Sequence, residues 1–185
     1  MKKSHKGFTL VELLISVSLL AIVSLVSVNI ITTLLKSSVK AQMAIDIEQA
    51  SSFVFLKLEN DIKKSYNAQV TGSTLILSQG SPVSSVTTTY KIASGVAEGC
   101  SDDSMNCILL NNTKLTDDTL VNGKPTLSAV SVDLANSSFS IVEDALDNPV
   151  AVNIKIKFFK PNSSNAKMFN AETTLDTTVV LRGSY

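Results

Sequence analysis

Histidine and tryptophan are nearly absent from this 185-residue chain, which has one histidine, His5, and no tryptophan. His5 lies in a short basic segment at the start, so the rest of the chain has no imidazole to act as a general base or a metal ligand. A tetrahedral structural zinc site needs four cysteine or histidine ligands, and the chain has only two cysteines. We therefore expect no enzymatic activity, no cofactor and no metal site.

Charge is also scarce, at 17% of residues, and it is almost missing from residues 8–35. This apolar run holds one charged residue, Glu12, and follows Lys2, Lys3 and Lys6. It is longer than the roughly 20 residues that a helix needs to cross a bilayer core. The basic residues before the run place its amino end in the cytoplasm. It is also longer than the apolar region of a secretory signal, which is roughly 7 to 15 residues.

Glu12 is unusual because an ionised carboxylate at the middle of a membrane helix costs roughly 2.5 to 3.5 kcal/mol, and such residues normally pair with another group. If the chain were cut after Gly7, the new α-amino group of Phe8 would lie four residues from Glu12. The amine of a neighbouring copy could then meet the carboxylate. Glu12 is therefore a candidate assembly residue.

Residues 7–12 read GFTLVE, and with the basic leader and the long apolar helix they resemble the cleavage and methylation signature of type IV prepilins and type II secretion pseudopilins. The resemblance implies that a prepilin peptidase cuts after Gly7 and N-methylates Phe8. It also implies that Glu12 neutralises the terminal amine of a neighbouring subunit during filament assembly.

The same resemblance divides the chain into a leader (1–7), a transmembrane and assembly half-helix (8–35) and an exported globular domain (36–185). The implied partners are prepilin peptidase, an inner-membrane assembly platform, membrane lipid before assembly, and other pilin or pseudopilin subunits bound through the N-terminal helix. The amino terminus would be cytoplasmic and the globular domain periplasmic or extracellular. Loss of the leader removes three lysines, leaving 13 basic and 16 acidic residues, so the charge does not favour nucleic acid as a partner.

Residues 36–66 carry apolar side chains at spacings of three or four, which predicts that the helix continues with one buried stripe. The stripe consists of Val39, Met43, Ile47, Ala50, Val54, Leu58, Ile62 and Tyr66. Charged residues such as Asp61 and Lys57 are placed largely off it. Phe53, Phe55 and Leu56 are interpreted as core or flanking residues.

Beyond Asn67 the apolar period becomes two, which is typical of strands with one buried face. Strands are predicted at 75–77, 86–92, 108–110, 130–134, 139–142, 150–159 and 175–181, with turns at 79–82, 122–125, 147–149 and 161–165. A long helix followed by runs of strands predicts an α+β fold of the pilin-like kind, in which an antiparallel sheet covers the second half of the helix.

Cys100 and Cys107 lie close together in a polar loop. In an exported domain an even pair favours a disulfide, which would add roughly 2 to 3 kcal/mol of stability on the entropic account. Two free thiols are the alternative. Without EF-hand spacing, the nearby polar residues are interpreted as solvated loop residues rather than calcium ligands: Asp102, Asp103, Asn106, Asp117 and Asp118.

At two positions the chain differs from the main filament subunits of the family that it resembles. Major pilins and the major pseudopilin commonly have proline where this chain has Asn29, and major pilins often have glycine at Ala21. Leu58, Asp61 and Ile62 on the helix, a strand ending in Tyr90, and a last strand closing in Leu181 and Arg182 resemble the J-type pseudopilin and W-type minor pilin group.

These features favour a minor type IV pilin that helps initiate or cap a pilus filament. A minor J-like pseudopilin of a type II secretion system or competence pseudopilus is the alternative. A pilus-displayed adhesin or DNA-binding module is an alternative of another class, and a membrane-anchored enzyme with a fortuitous N-terminal match is the last.

Overall fold

The computed structural model describes residues 9–81, 84–118, 120–121, 124–125, 129–161 and 171–182. One helix, α1 (Leu10–Lys64), comprises 55 residues. The contacts divide the chain after Ala41 into two compact units, so the first part of α1 and the domain that begins at Gln42 are described separately.

In the domain, α1 contributes the apolar stripe that the 3.6-residue period predicts. Ile47, Val54, Leu58 and Ile62 are buried, whereas Val39, before the division, is 41% exposed. The helix ends at Lys64 rather than near Tyr66, which lies in the first strand. The burial of the stripe confirms that the second part of the helix packs on the rest of the domain.

The first sheet has five antiparallel strands in sequential order. The strands are β1 (Ser65–Thr71), β2 (Thr74–Ser81), β3 (Ser84–Ser94), β4 (Asn106–Leu110) and β5 (Thr113–Lys114). Gly72 in the β1–β2 turn has a φ of 59°, which glycine adopts without a steric cost. Asn111 and Asn112 both have positive φ between β4 and β5, as a two-residue hairpin turn of type I′ requires.

The second sheet is built around β10 (Pro149–Phe159). On one side β10 pairs with β11 (Glu172–Val180) over nine consecutive residue pairs. On the other side it pairs with β9 (Ser138–Glu143) and β8 (Ser131–Val132). A separate two-stranded ribbon joins β6 (Leu120–Val121) to β7 (Lys124–Pro125).

Both sheets bury apolar side chains against α1, and the core is one cluster. Leu75, Leu77, Tyr90 and Ile92 come from the first sheet, and Val152, Ile154, Ile156 and Phe158 from the second. The predicted α+β fold of a helix packed on antiparallel strands is confirmed.

Several strand predictions need correction. The helix packs on two sheets rather than one, and β1 and the short strands β5, β6 and β7 were not predicted. The predicted strand at 130–134 is only two residues long, because the Asp133 carboxylate accepts hydrogen bonds from the amides of Ala135 and Asn136 and starts a 3-10 turn at Leu134.

Two further predictions concern the β2–β3 hairpin and the turns. β2 continues through the predicted turn at 79–82 as far as Ser81, which pairs with Ser84. Val86, predicted to face the core, is 66% exposed. Parts of the predicted turns at 79–82, 122–125 and 161–165 lie outside the described residues.

Candidate functional site

The first part of α1 is an apolar surface with no partner in the described chain. Its large apolar side chains, from Leu10 to Leu35, are all more than half exposed. α1 is the one described helix that is long and apolar enough to cross a membrane, with a mean hydropathy of 2.5 in its most apolar window. Lipid or other apolar helices are the surroundings that would cover such a surface.

Glu12 lies in the first turn of this helix. Thr9 precedes the helix, and its Oγ1 accepts a hydrogen bond of 3.3 Å from the Glu12 amide, which satisfies one of the free N–H groups of the helix start. The Glu12 carboxylate is exposed and makes no hydrogen bond or ion pair with any residue that the structure describes. The predicted cleavage and methylation residues, Gly7 and Phe8, lie outside the described residues.

Six hydroxyl side chains in the apolar segment donate hydrogen bonds to carbonyl oxygens of their own helix, three or four residues earlier. Ser16 Oγ, for example, lies 2.7 Å from the carbonyl oxygen of Glu12. The others are Ser18, Ser24, Ser27, Thr32 and Thr33. Such bonds satisfy polar groups inside the helix, as an apolar environment demands.

At the other end of α1, Asp61 and Tyr90 join the helix to β3. The Tyr90 hydroxyl donates a hydrogen bond of 2.7 Å to Asp61 Oδ2, and Lys57 Nζ lies 3.5 Å from the same oxygen. Tyr90 is fully buried and Asp61 is 7% exposed. The prediction that Asp61 lies largely off the buried stripe is wrong. Its position seven residues after Val54 and three after Leu58 was the available signal.

The carbonyl oxygen of Asp61 is also used, since it accepts hydrogen bonds from Ser65 Oγ at 2.6 Å and from Gln79 Nε2 at 3.3 Å. These bonds satisfy a carbonyl that the helix end leaves without an intrahelical partner. Leu58, Ile62 and Leu181 belong to the same core, and the Arg182 amide donates to the Ser65 carbonyl oxygen. The residues on which the J- and W-type resemblance rests are therefore brought together.

We expect the domain to lose stability at alkaline pH, because the stabilising contact between Asp61 and Tyr90 is lost when Tyr90 ionises. Burial, and then the hydrogen bond to Asp61, raise the pKa of Tyr90 well above its ordinary value of 10.0. A phenol whose pKa is higher in the folded than in the unfolded state stabilises the fold below the unfolded pKa, and this stability is lost as pH rises above about 10. In urea unfolding followed by circular dichroism, Tyr90→Phe should weaken this alkaline decline relative to the wild type. Tyr66→Phe is the control, and equal pH profiles for Tyr90→Phe and the wild type would contradict the assignment.

A second ion pair, between a buried lysine and a partly buried aspartate, connects α1 to the end of β10. Lys160, 6% exposed, has its Nζ 3.5 Å from Asp46 Oδ2. Burial lowers the pKa of the lysine, and Asp46 partly offsets this effect. No sequence signal identified this pair, because its members are 114 positions apart.

Cys100 and Cys107 form the predicted disulfide. With Ala93 and Leu109 they make a small apolar cluster separate from the main core. Asp118, interpreted from the sequence as a solvated loop residue, is 1% exposed. Its carboxylate accepts hydrogen bonds from the Ser101 hydroxyl at 2.8 Å and from Lys114 Nζ at 3.1 Å, so it ties the disulfide loop to the segment after β5.

Asp118 lies near both cysteine sulfurs, but the sulfurs are bonded to each other and are not available as thiolate ligands. The carboxylates of Asp102 and Asp103 accept hydrogen bonds from the amides of Ser104 and Val96, respectively. These hydrogen bonds within the loop explain the presence of both acidic side chains without a metal ion.

Residues 2–28 match the family model described as the prokaryotic N-terminal methylation motif. The matched segment contains Gly7, Phe8 and Glu12. The motif and the long N-terminal helix packed on antiparallel sheets are those of a type IV pilin-like protein. The motif supports a structural subunit of the pilin or pseudopilin kind, and the long apolar helix supports anchoring in a membrane. No curated protein and no solved structure matches the chain significantly.

Proposed function

We propose that this protein is a minor type IV pilin that is processed by prepilin peptidase and helps to initiate or cap a pilus filament. The observation that carries the proposal is the methylation motif at residues 2–28, which overlaps an apolar helical segment whose large side chains, from Leu10 to Leu35, are exposed. A segment of this kind needs lipid first and other helices later.

In the proposed mechanism the amino terminus is cytoplasmic and the folded domain is periplasmic or extracellular. Prepilin peptidase cuts after Gly7 and methylates the new terminal amine of Phe8. The Glu12 carboxylate, which has no partner among the residues that the structure describes, then pairs with the terminal amine of a neighbouring subunit. An inner-membrane platform moves the helix from lipid into a bundle of subunit helices, which covers the same apolar surface.

The minor role is supported by Asn29, where major pilins and the major pseudopilin commonly have proline, and by Ala21, where major pilins often have glycine. Without proline the helix has no cause for a kink at this position, and α1 is continuous there. The contact between Asp61 and Tyr90 supports the W-type and J-type group, because two of the residues that suggested this group bond to each other. The second candidate is therefore a minor J-like pseudopilin of a type II secretion or competence system.

Purified surface filaments test this proposal. We expect the protein in the filament fraction at a small fraction of the main subunit, and its N-terminal peptide to begin with N-methylated Phe8 in mass spectrometry. Membranes from cells that lack prepilin peptidase are the control and should retain Met1–Gly7. An intact Met1 in wild-type cells, or a cut beyond Ala21, would contradict the processing, whereas co-purification with secretion components alone would favour the pseudopilin.

A further inference from the structure

The outer edge of β11 is a long and regular strand edge. β11 pairs with β10 over nine consecutive residues without a bulge, and it is the last strand on that side of its sheet in the described part of the chain. It contains no proline. A regular strand edge with unpaired backbone groups is a template for another strand.

The backbone groups that face outward can be assigned from the register. The Leu181 amide donates to the Val150 carbonyl oxygen at 2.9 Å, one step beyond the Ala151–Val180 pair. Since hydrogen-bonded and non-hydrogen-bonded pairs alternate along an antiparallel ladder, every second residue of β11 points its N–H and C=O away from β10. These residues are Glu172, Thr174, Asp176, Thr178 and Val180.

A groove runs along part of this edge. It has a volume of about 610 Å³, and its walls are the stretch from Thr177 to Arg182 and one face of α1 formed by Phe55, Glu59 and Lys63. The Glu59 and Lys63 side chains pair with each other at 2.6 Å, so the wall of α1 presents an apolar ring and a neutralised pair of charges. An extended peptide fits a site with backbone groups on one side and side-chain pockets on the other.

The charge on the edge selects among possible occupants. The Asp176 side chain is exposed and forms no ion pair with any residue that the structure describes, and Lys155 of β10 lies opposite it in the register. A second copy paired antiparallel over the whole of β11 would place Asp176 opposite Asp176, and like charges directly opposite each other are destabilising. A strand with lysine or arginine at that position would instead be favoured.

The residue four positions away adds a second preference. Val180 is 46% exposed, and its neighbour in the register is Ala151, which in turn pairs with Val142, 43% exposed. An apolar residue opposite Val180 would extend this row across the sheet. In an antiparallel partner the apolar residue and the basic residue are therefore four positions apart.

We infer that the β11 edge binds an extended segment of a different polypeptide, with a basic residue opposite Asp176 and an apolar residue opposite Val180. The segment adds a strand to the second sheet and covers the groove beside Phe55. This recognition uses the folded domain, so it does not depend on the processing of the N-terminus or on filament assembly.

Synthetic peptides and the full-length protein in detergent test the inference by fluorescence anisotropy. The probe is a nine-residue peptide of alternating threonine and valine with lysine opposite Asp176, and the matched peptide has glutamate there. We expect the lysine peptide to bind about fivefold more tightly. A lysine peptide that is N-methylated at the amides facing β11 should not bind.

Variants of the protein give the decisive comparison. Asp176→Lys should reverse the preference between the two peptides, whereas Glu48→Lys, on an exposed part of α1, makes the same change of charge and should leave it unaltered. Thr178→Pro removes an outward N–H, a position where edge strands tolerate proline, and should abolish binding without lowering the urea midpoint.

Three results would overturn the inference. These are equal affinities for the two peptides, unchanged binding by Thr178→Pro, and a peptide-free dimer of the wild type that the lysine peptide does not dissociate. The last result would mean that a second copy occupies the edge.

Discussion

Replacing Glu12 with alanine is expected to reduce incorporation of the protein into filaments by about tenfold or more, while membrane insertion stays intact. The carboxylate lies in the first turn of an exposed apolar helix and has no partner within the described residues. Burying the terminal amine of a neighbour without its counter-ion would cost at least about 1.4 kcal/mol, which corresponds to a factor of ten. Quantitative immunoblots of sheared filaments and of membranes measure the two quantities.

Ser24→Ala provides the matched control. Ser24 is an exposed polar residue of the same segment, but its hydroxyl bonds within its own helix, so its loss should leave incorporation unchanged. Glu12→Asp should restore part of the incorporation, because the charge is retained on a shorter side chain. Normal incorporation of Glu12→Ala would contradict the pairing of Glu12 with a neighbouring amine.

Leu58→Ala is expected to destabilise the folded domain by about 2 to 5 kcal/mol, the range for removing a large aliphatic side chain from a core. Leu58 is completely buried in the cluster that α1 forms with both sheets. A loss of this size is a large fraction of the stability of a domain. Urea unfolding of the full-length protein in detergent, followed by circular dichroism, measures it.

Leu56→Ala is the control, because Leu56 is two residues away on the same helix and 62% exposed. It makes the same chemical change and should alter stability by about 0.5 kcal/mol or less. Equal losses for the two variants would mean that the second part of α1 does not pack on the sheets as described.

Period and composition were enough to predict the main elements. The buried stripe on α1 and the long strands β10 and β11 follow from apolar residues repeated at one period over many residues. Glu12 could be singled out for the same reason, since a charge interrupts an otherwise uniform apolar run. Phe53 and Leu56, interpreted as core or flanking residues, are exposed, because the stripe of period 3.6 passes through Val54 and Leu58 instead.

The elements that were missed depend on local hydrogen bonds or on distant contacts. Asp133 ends a strand because its carboxylate bonds to backbone amides just after it, which competes with strand pairing. The strand β1 follows the helix directly, so no turn residues mark the boundary. The burial of Asp61 and Lys160 depends on Tyr90 and Asp46, residues that only the folded chain brings near.

The hydroxyl groups of the apolar segment have a consequence for its transfer between environments. Because Ser16, Ser24 and Thr33 donate to carbonyl oxygens of the helix to which they belong, their hydrogen bonds are unaffected by what surrounds that helix. A change from acyl chains to neighbouring polypeptides would therefore break none of these bonds and would require no water to accompany the segment. Selectivity during such a transfer would then rest on groups that the helix cannot satisfy by itself, above all the carboxylate of Glu12.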